Sequence, residues 1–242
     1  MRGLSLAEAS GEHGARGPLW VACLATVVAA ALSYLLPDAH AAAGVGLWFL
    51  ACAYVLVLHR GDSEAIHRYG LSLGGLFDSE ALSPAKLVRS ALGALGWGLG
   101  FALLIFPAFW LGYWFWYRPP TAFVPAAAPS LLDDVLGQLL GVAFPEEVFY
   151  RGYLQSALDR AWPPTRRVLG AELGLGLVVS SALFAAGHFL TEPLPGRLAV
   201  FFPSLVFGFL RARRGGVGAA IVFHALCNLF ASYLGRSYGL FR

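Results

Sequence analysis

Three stretches of apolar sequence carry side chains that could do chemistry: Pro145-Glu146-Glu147-Val148-Phe149-Tyr150-Arg151-Gly152, Phe184-Ala185-Ala186-Gly187-His188 and His224-Ala225-Leu226-Cys227-Asn228. Within a membrane each charge costs about 2.5–3.5 kcal/mol on insertion, so each one needs a reason. Glu147 and Arg151 are four apart with the acid first, the favourable order for an ion pair on one helix face. Glu146 lies about 100° further round and shares its face with Tyr150 and Tyr153. The two carboxylates therefore meet different surroundings. Glu147 is expected to stay ionised beside a permanent cation, while Glu146, among apolar and phenolic neighbours, suits a general base. His224 and Asn228, also four apart, offer an imidazole and an amide to one cavity, and His188 comes from a different helix.

Taken singly, each group has a structural explanation. Glu147–Arg151 could be a packing ion pair, His188 an interfacial histidine and Asn228 an interhelical hydrogen-bonding residue. Together, two adjacent acids, two histidines and an amide on three apolar helices are hard to explain as packing. His13, His40, His59 and His67 fall in loops or at span ends and are assigned no role. Cys23, Cys52 and Cys227 lie inside apolar runs and read as small buried hydrophobes, not as bridges or a metal cluster.

In this order the three clusters resemble the motifs Glu-Glu-x-x-x-Arg, Phe-x-x-x-His and His-x-x-x-Asn. These mark the CAAX-prenyl-protease and bacteriocin-processing (CPBP, or Abi) family of intramembrane endopeptidases. The resemblance covers roughly residues 130–235, with one local departure in the aromatic pair Phe149-Tyr150 before Arg151. It implies hydrolysis of a peptide bond in a membrane-associated protein or peptide. Glu146, assisted by His188, would activate a water, His224 and Asn228 would stabilise the oxyanion, and Glu147 with Arg151 would shape the site. No cofactor is expected. Two histidines and a glutamate could also form a zinc set, but no His-Glu-x-x-His is present. A proton-coupled transporter or a non-catalytic immunity protein would also bury such groups, yet no inverted repeat is visible. The family's substrates range from prenylated proteins in eukaryotes to bacteriocins and C-terminal membrane-sorting tails in bacteria. Heavy use of Ala, Gly, Leu and Arg with one Lys (Lys86) suggests a GC-rich bacterial genome, and so a bacterial substrate in the inner membrane.

The elements that must position these residues follow from composition. Of 242 residues, 58% are hydrophobic and 13% charged, against about 45–50% and 25% in soluble domains. Such a chain is an all-α, polytopic transmembrane bundle. Apolar runs at 19–36, 41–58, 90–117, 131–162 (interrupted by Pro145), 168–190, 198–210 and 216–234 predict seven membrane helices around a polar cavity. A retained first helix is favoured over a signal peptide cleaved near Ala39-His40-Ala41. Pro145 is expected to start a new stretch over 146–162 or to kink a longer helix. Trp110, Tyr113, Trp114, Trp116 and Tyr117 read as an aromatic belt, and Gly96-x-x-x-Gly100 and Gly170-x-x-x-Gly174 as possible close-packing motifs. The division expected is a tail over 1–18, helices and loops over 19–129, a catalytic core over 130–235 and a tail over 236–242.

Net charge is only +3, and it reads as loop charge rather than a nucleic-acid surface. With the N-terminus cytoplasmic, the inner loops collect Arg2, Arg16, Arg60, Arg68, Lys86, Arg89, Arg160, Arg166, Arg167, Arg211, Arg213 and Arg214, and the outer side only Arg118, Arg197, Arg236 and Arg242. Residue counts along the predicted helices then place Glu146 and His188 in the outer half of the bilayer and His224 deeper. These depths agree if the last helix tilts, or if one continuous helix from Leu131 lowers Glu146. The cavity is expected to open toward the extracytoplasmic half. The oligomeric state is left open.

Overall fold

The computed structural model describes residues 14–60, 62–78 and 80–240. Arg2, His13 and Arg242 lie outside the described residues, as does most of the N-terminal tail. Helix α1 (Arg16–Leu35) is stopped by Pro37, and α2 (Asp38–Leu56) starts directly after it with Asp38 in its first turn, where an anion favours the helix dipole. Ala39-His40-Ala41 belongs to that first turn. A short α3 (Ser63–Arg68) is capped by Asp62, which accepts from the Glu64 N–H at 2.9 Å. The loop that follows closes on Asp78, which meets Ser72 Oγ at 3.1 Å and both Lys86 Nζ and His67 Nε2 at 3.2 Å. Burial pushes the Asp78 carboxyl up, but these hydrogen bonds and the charges of His67 and Lys86 outweigh it and hold the group below its ordinary value.

Helix α4 (Pro84–Tyr117) begins earlier than the apolar run. Ser83 caps it and Pro84 occupies its first turn, so the start is set by capping rather than by hydrophobicity. Helix α5 is one continuous element over 131–161, not two. Its segments are α-helical at Leu131–Leu136, π-helical at Gly137–Ala143, α-helical at Phe144–Glu147, π-helical at Val148–Gln155 and α-helical at Ser156–Ala161. Pro145 is carried without a break because the wider π turn precedes it, with the Phe144 N–H donating five residues back to Leu139 O. Pro145 deprives the Gly141 carbonyl of its i+4 donor, and α2 presses close there. A Cβ on Gly46 would stand 2.5 Å from Gly141 O, so glycine is required for this approach.

The run predicted as helix over 168–190 instead opens with a β-hairpin, β1 (Arg166–Val168) and β2 (Ala171–Leu173), which pair antiparallel. Leu169 (φ 48°) and Gly170 (φ 81°) form the two-residue turn, the positive-φ geometry that matches strand twist. Helix α6 (Leu175–Thr191) can start only beyond it. A 3₁₀ segment (Pro195–Val200) leads into α7 (Phe201–Arg214), which ends at Gly215 in the left-handed region, and α8 (Gly218–Ser237) completes the bundle.

Neither spaced glycine pair mediates helix packing. Gly96 and Gly100 face open space, and Gly170 and Gly174 belong to the hairpin region. Gly98 is the position where α4 meets α8, since a Cβ there would stand 2.5 Å from Val222. The aromatic belt is divided: Trp110, Trp114, Trp116 and Tyr117 are exposed, Trp110 also donating to Tyr238 OH at 2.9 Å, whereas Tyr113 is buried.

Among the described residues, four helices are long and apolar enough to cross a membrane: α1, α2, α4 and α8. Helix α6 is a shorter apolar helix, α5 carries charges, and α7 has 14 residues with three arginines in its last turn. The core joins residues of both chain halves, including Ala22, Phe49, Phe149, Phe184 and Phe223. Contacts between helix ends and loops define two ends of the bundle. At one, Arg160 meets Tyr69, Arg211 meets Ser156 and Arg68, and Val217 N–H donates to Gly70 O. At the other, Tyr34 OH donates to Leu190 O, Val124 N–H to Ser237 O, and Arg236 pairs with Asp134.

Candidate active site

The Glu-Glu turn of α5 lies between two π-helical segments, a backbone irregularity that recurs at functional sites because it re-aims side chains. Glu147 and Arg151 are both fully buried and form the expected ion pair at 3.1 Å. A buried charge needs its remaining hydrogen bonds met, and neighbouring helices supply part of this. Arg151 donates to the Ser204 hydroxyl and to the Ser204 carbonyl at 3.2 Å on α7. Its guanidinium lies 4.4 Å from the Phe184 ring centroid and 5.2 Å from that of Phe207, a cation–π setting.

His224 is buried on α8 and faces both acids. Its Nδ1 stands 2.9 Å from Glu147 Oε1, and because the paired carboxylate accepts, Nδ1 carries the hydrogen. Its Nε2 points to Glu146 Oε2 at 3.8 Å. Phe207 stacks on the imidazole at 4.6 Å and 15°, and Phe184 meets it edge-on. The ring is thus fixed by one hydrogen bond and two aromatic walls.

Beside this cluster lies a cavity of about 450 Å³ whose lining includes Glu146, His188, Asn228, Gln138, Tyr150 and Arg197. Glu146 Oε2 is buried and has no hydrogen-bond partner among the described residues. On α6, His188 Nδ1 hydrogen-bonds the Phe184 carbonyl at 3.0 Å. The carbonyl only accepts, so Nδ1 donates and a neutral ring keeps its lone pair on Nε2. Asn228 donates through Nδ2 to Gln138 Oε1 at 2.8 Å, leaving its second amide N–H and its carbonyl oxygen for other partners.

The structure therefore gathers the six sequence-derived residues into two layers. Glu146, His188 and Asn228 line the cavity, while Glu147, Arg151 and His224 stand behind Glu146. Two supporting residues were not singled out in the sequence. For Gln138 the available signal is a polar side chain in an apolar run, eight residues before Glu146. Ser204 gave no signal. The continuous α5 also levels the depths: Glu146 is fifteen residues from the start of α5 and His224 thirteen from the end of α8, both about 20 Å along their helices. Among the described residues, no three His, Cys, Asp or Glu side chains converge as a metal-holding group.

Residues 128–230 match the family model described as type II CAAX prenyl endopeptidase Rce1-like. No curated protein and no solved structure matches the chain. The matched segment holds all three motifs in order, with every motif side chain at or directly behind one cavity. By this match, residues 128–230 belong to the CPBP family of CAAX-type intramembrane proteases, in its Rce1-like form.

Proposed function

We propose that the protein is an intramembrane endopeptidase that hydrolyses a peptide bond of a membrane-anchored protein or peptide, using water activated by Glu146 and His188. The observation that carries this reading is the meeting of the Glu146 carboxylate, the His188 imidazole and the Asn228 amide at one cavity. Water held between Glu146 and His188 Nε2 attacks the scissile carbonyl carbon and gives a proton to Glu146. The oxyanion so formed accepts from the second Nδ2–H of Asn228, while His224, behind Glu146, links that acid to the Glu147–Arg151 pair. When the C–N bond breaks, Glu146 returns its proton to the leaving amine. Glu147 orients His224 as the third group of a triad orients its base. Each oxyanion donor of this kind is worth about 2.7–4 kcal/mol.

The substrate side follows from charge. The cavity's lining includes Ser33, Tyr117, Gln138, Arg197 and Ser232, which come from the helix ends opposite Arg68, Lys86, Arg160, Arg211 and Arg213. With the basic end in the cytoplasm, the cavity opens to the extracytoplasmic half of a bacterial inner membrane. That geometry suits trimming a sorting tail or a bacteriocin-type peptide just outside its apolar segment, whereas a prenylated cytosolic C-terminus would meet the other face.

The test compares membrane-protein termini in cells producing the wild type or Glu146→Gln. New C-termini at the outer edge of single-span segments are expected only with the wild type. Identical termini in both would refute the protease reading.

A further inference from the structure

A second polar cavity, of about 380 Å³, lies at the basic end of the bundle, away from the catalytic one. Arg68, Arg160, Arg167 and Arg211 line it together with Asp159 and Glu172; Arg68 is paired with Glu64 outside the pocket at 2.6 Å, so three further guanidinium groups face two carboxylates. Two of the cations are fixed in place. Arg160 donates to Tyr69 OH, with its guanidinium 4.3 Å from the ring centroid. Arg211 donates to the Ser156 hydroxyl and to the Arg68 carbonyl at 3.3 Å. Its Nε is buried and has no hydrogen-bond partner among the described residues. Such preorganised forks match the oxygens of a phosphate, which they bind through paired charge-assisted hydrogen bonds.

The wall formed by the hairpin says where that phosphate comes from. At the hairpin tip Leu169 is 81% exposed although it holds a positive φ of 48°. Polar Asn or Gly would suit that turn better in water. Val168 beside it and Leu175 at the start of α6 are exposed too. An apolar tip next to an arginine pocket is the layering of acyl chain and headgroup at a membrane interface. Alternation along β1 directs Arg167 to the face opposite Arg166 and Val168, and only Arg167 of these three lines the cavity.

We propose that this pocket binds the phosphate of an anionic glycerophospholipid, with the Leu169 tip among the acyl chains. The inference is independent of the catalytic reading.

The test uses the full chain in a zwitterionic detergent, following the thermal unfolding midpoint on titration. The probes are short-chain phosphatidylglycerol, phosphatidylcholine of equal chain length, and inorganic phosphate. Phosphatidylglycerol is expected to give a saturable upward shift that phosphatidylcholine does not. Arg167→Gln and Arg211→Gln should each weaken it by about tenfold, the worth of one charge-assisted hydrogen bond, while Arg166→Gln leaves it unchanged. If Arg211→Gln fails to fold, Arg167→Gln decides alone, because that side chain is exposed. Leu169→Asn, which fits the turn, should keep the lipid-free midpoint and weaken phosphatidylglycerol binding. Equal shifts with both lipids, or equal losses for Arg166→Gln and Arg167→Gln, would overturn the proposal in favour of diffuse attraction. A full shift with inorganic phosphate that Leu169→Asn leaves intact would overturn the lipid source and assign the pocket to a soluble phosphate compound.

Discussion

His224 bonds Glu147 through Nδ1 at 2.9 Å, so one imidazole links the buried ion pair to the acid beside the cavity. Its other nitrogen stands 3.8 Å from Glu146. The two adjacent acids thus play different parts: Glu147 is committed to Arg151 and His224, while Glu146 lines the cavity.

Glu146→Gln should abolish turnover and leave the thermal midpoint and membrane insertion near the wild type. Glu147→Gln should damage both, because it strands Arg151 as an uncompensated buried charge, a loss of about 3–5 kcal/mol. Parallel activity assays and thermal unfolding of the two purified variants separate these outcomes.

Asn228→Ala should lower kcat by about 10²–10³, the range for removing one oxyanion donor. Gln138→Leu should act through Asn228, lowering kcat less and leaving the folded protein intact. A double-mutant cycle should therefore be non-additive, with little further loss from Gln138→Leu once Asn228 is alanine. Additive losses would mean that Gln138 acts on its own.

If Glu146 and His188 activate the water, activity should survive prolonged treatment with strong chelators, and the purified protein should lack stoichiometric zinc. Loss of activity on chelation with recovery on adding zinc would instead place a metal in the mechanism.

Cysteines introduced at Val142 and Ser232, both lining the catalytic cavity, should react with a membrane-impermeant thiol reagent on intact spheroplasts. The background would lack Cys23, Cys52 and Cys227. Labelling only after the cytoplasmic face is opened would reverse the topology and favour a substrate that presents its cleavage site inside the cell.

Asp78 is held below its unfolded value of 3.8, so its contribution to stability is complete above that value and is lost as pH falls through the folded one. Asp78→Asn should lower the thermal midpoint at neutral pH, and the gap to wild type should close on strong acidification. A gap that stays constant with pH would mean that the loop is held by something other than this carboxylate.

Much of this protein was legible in the chain because its signals are local. Apolar runs long enough to span a bilayer, and ionisable residues at helical spacing within them, identified a helical membrane bundle and all six motif side chains. Glu147–Arg151 is an i, i+4 pair, and such pairs meet whenever the segment is helical. Arrangement across elements was different in kind. That His224 bonds Glu147 rather than facing the cavity, that Asn228 is tied to Gln138, and that Ser204 caps Arg151 are contacts over 53 to 90 residues of sequence, which no local spacing encodes. Proline and glycine misled where their effect depends on surroundings. Pro145 reads as a break, but a π turn before it and Gly46 across from it let α5 continue. Gly170 reads as part of a packing motif, but its positive φ makes a turn. Side-chain chemistry and periodicity decided which groups are present, and only tertiary packing decided which carboxylate is locked in an ion pair and which is left to face the cavity.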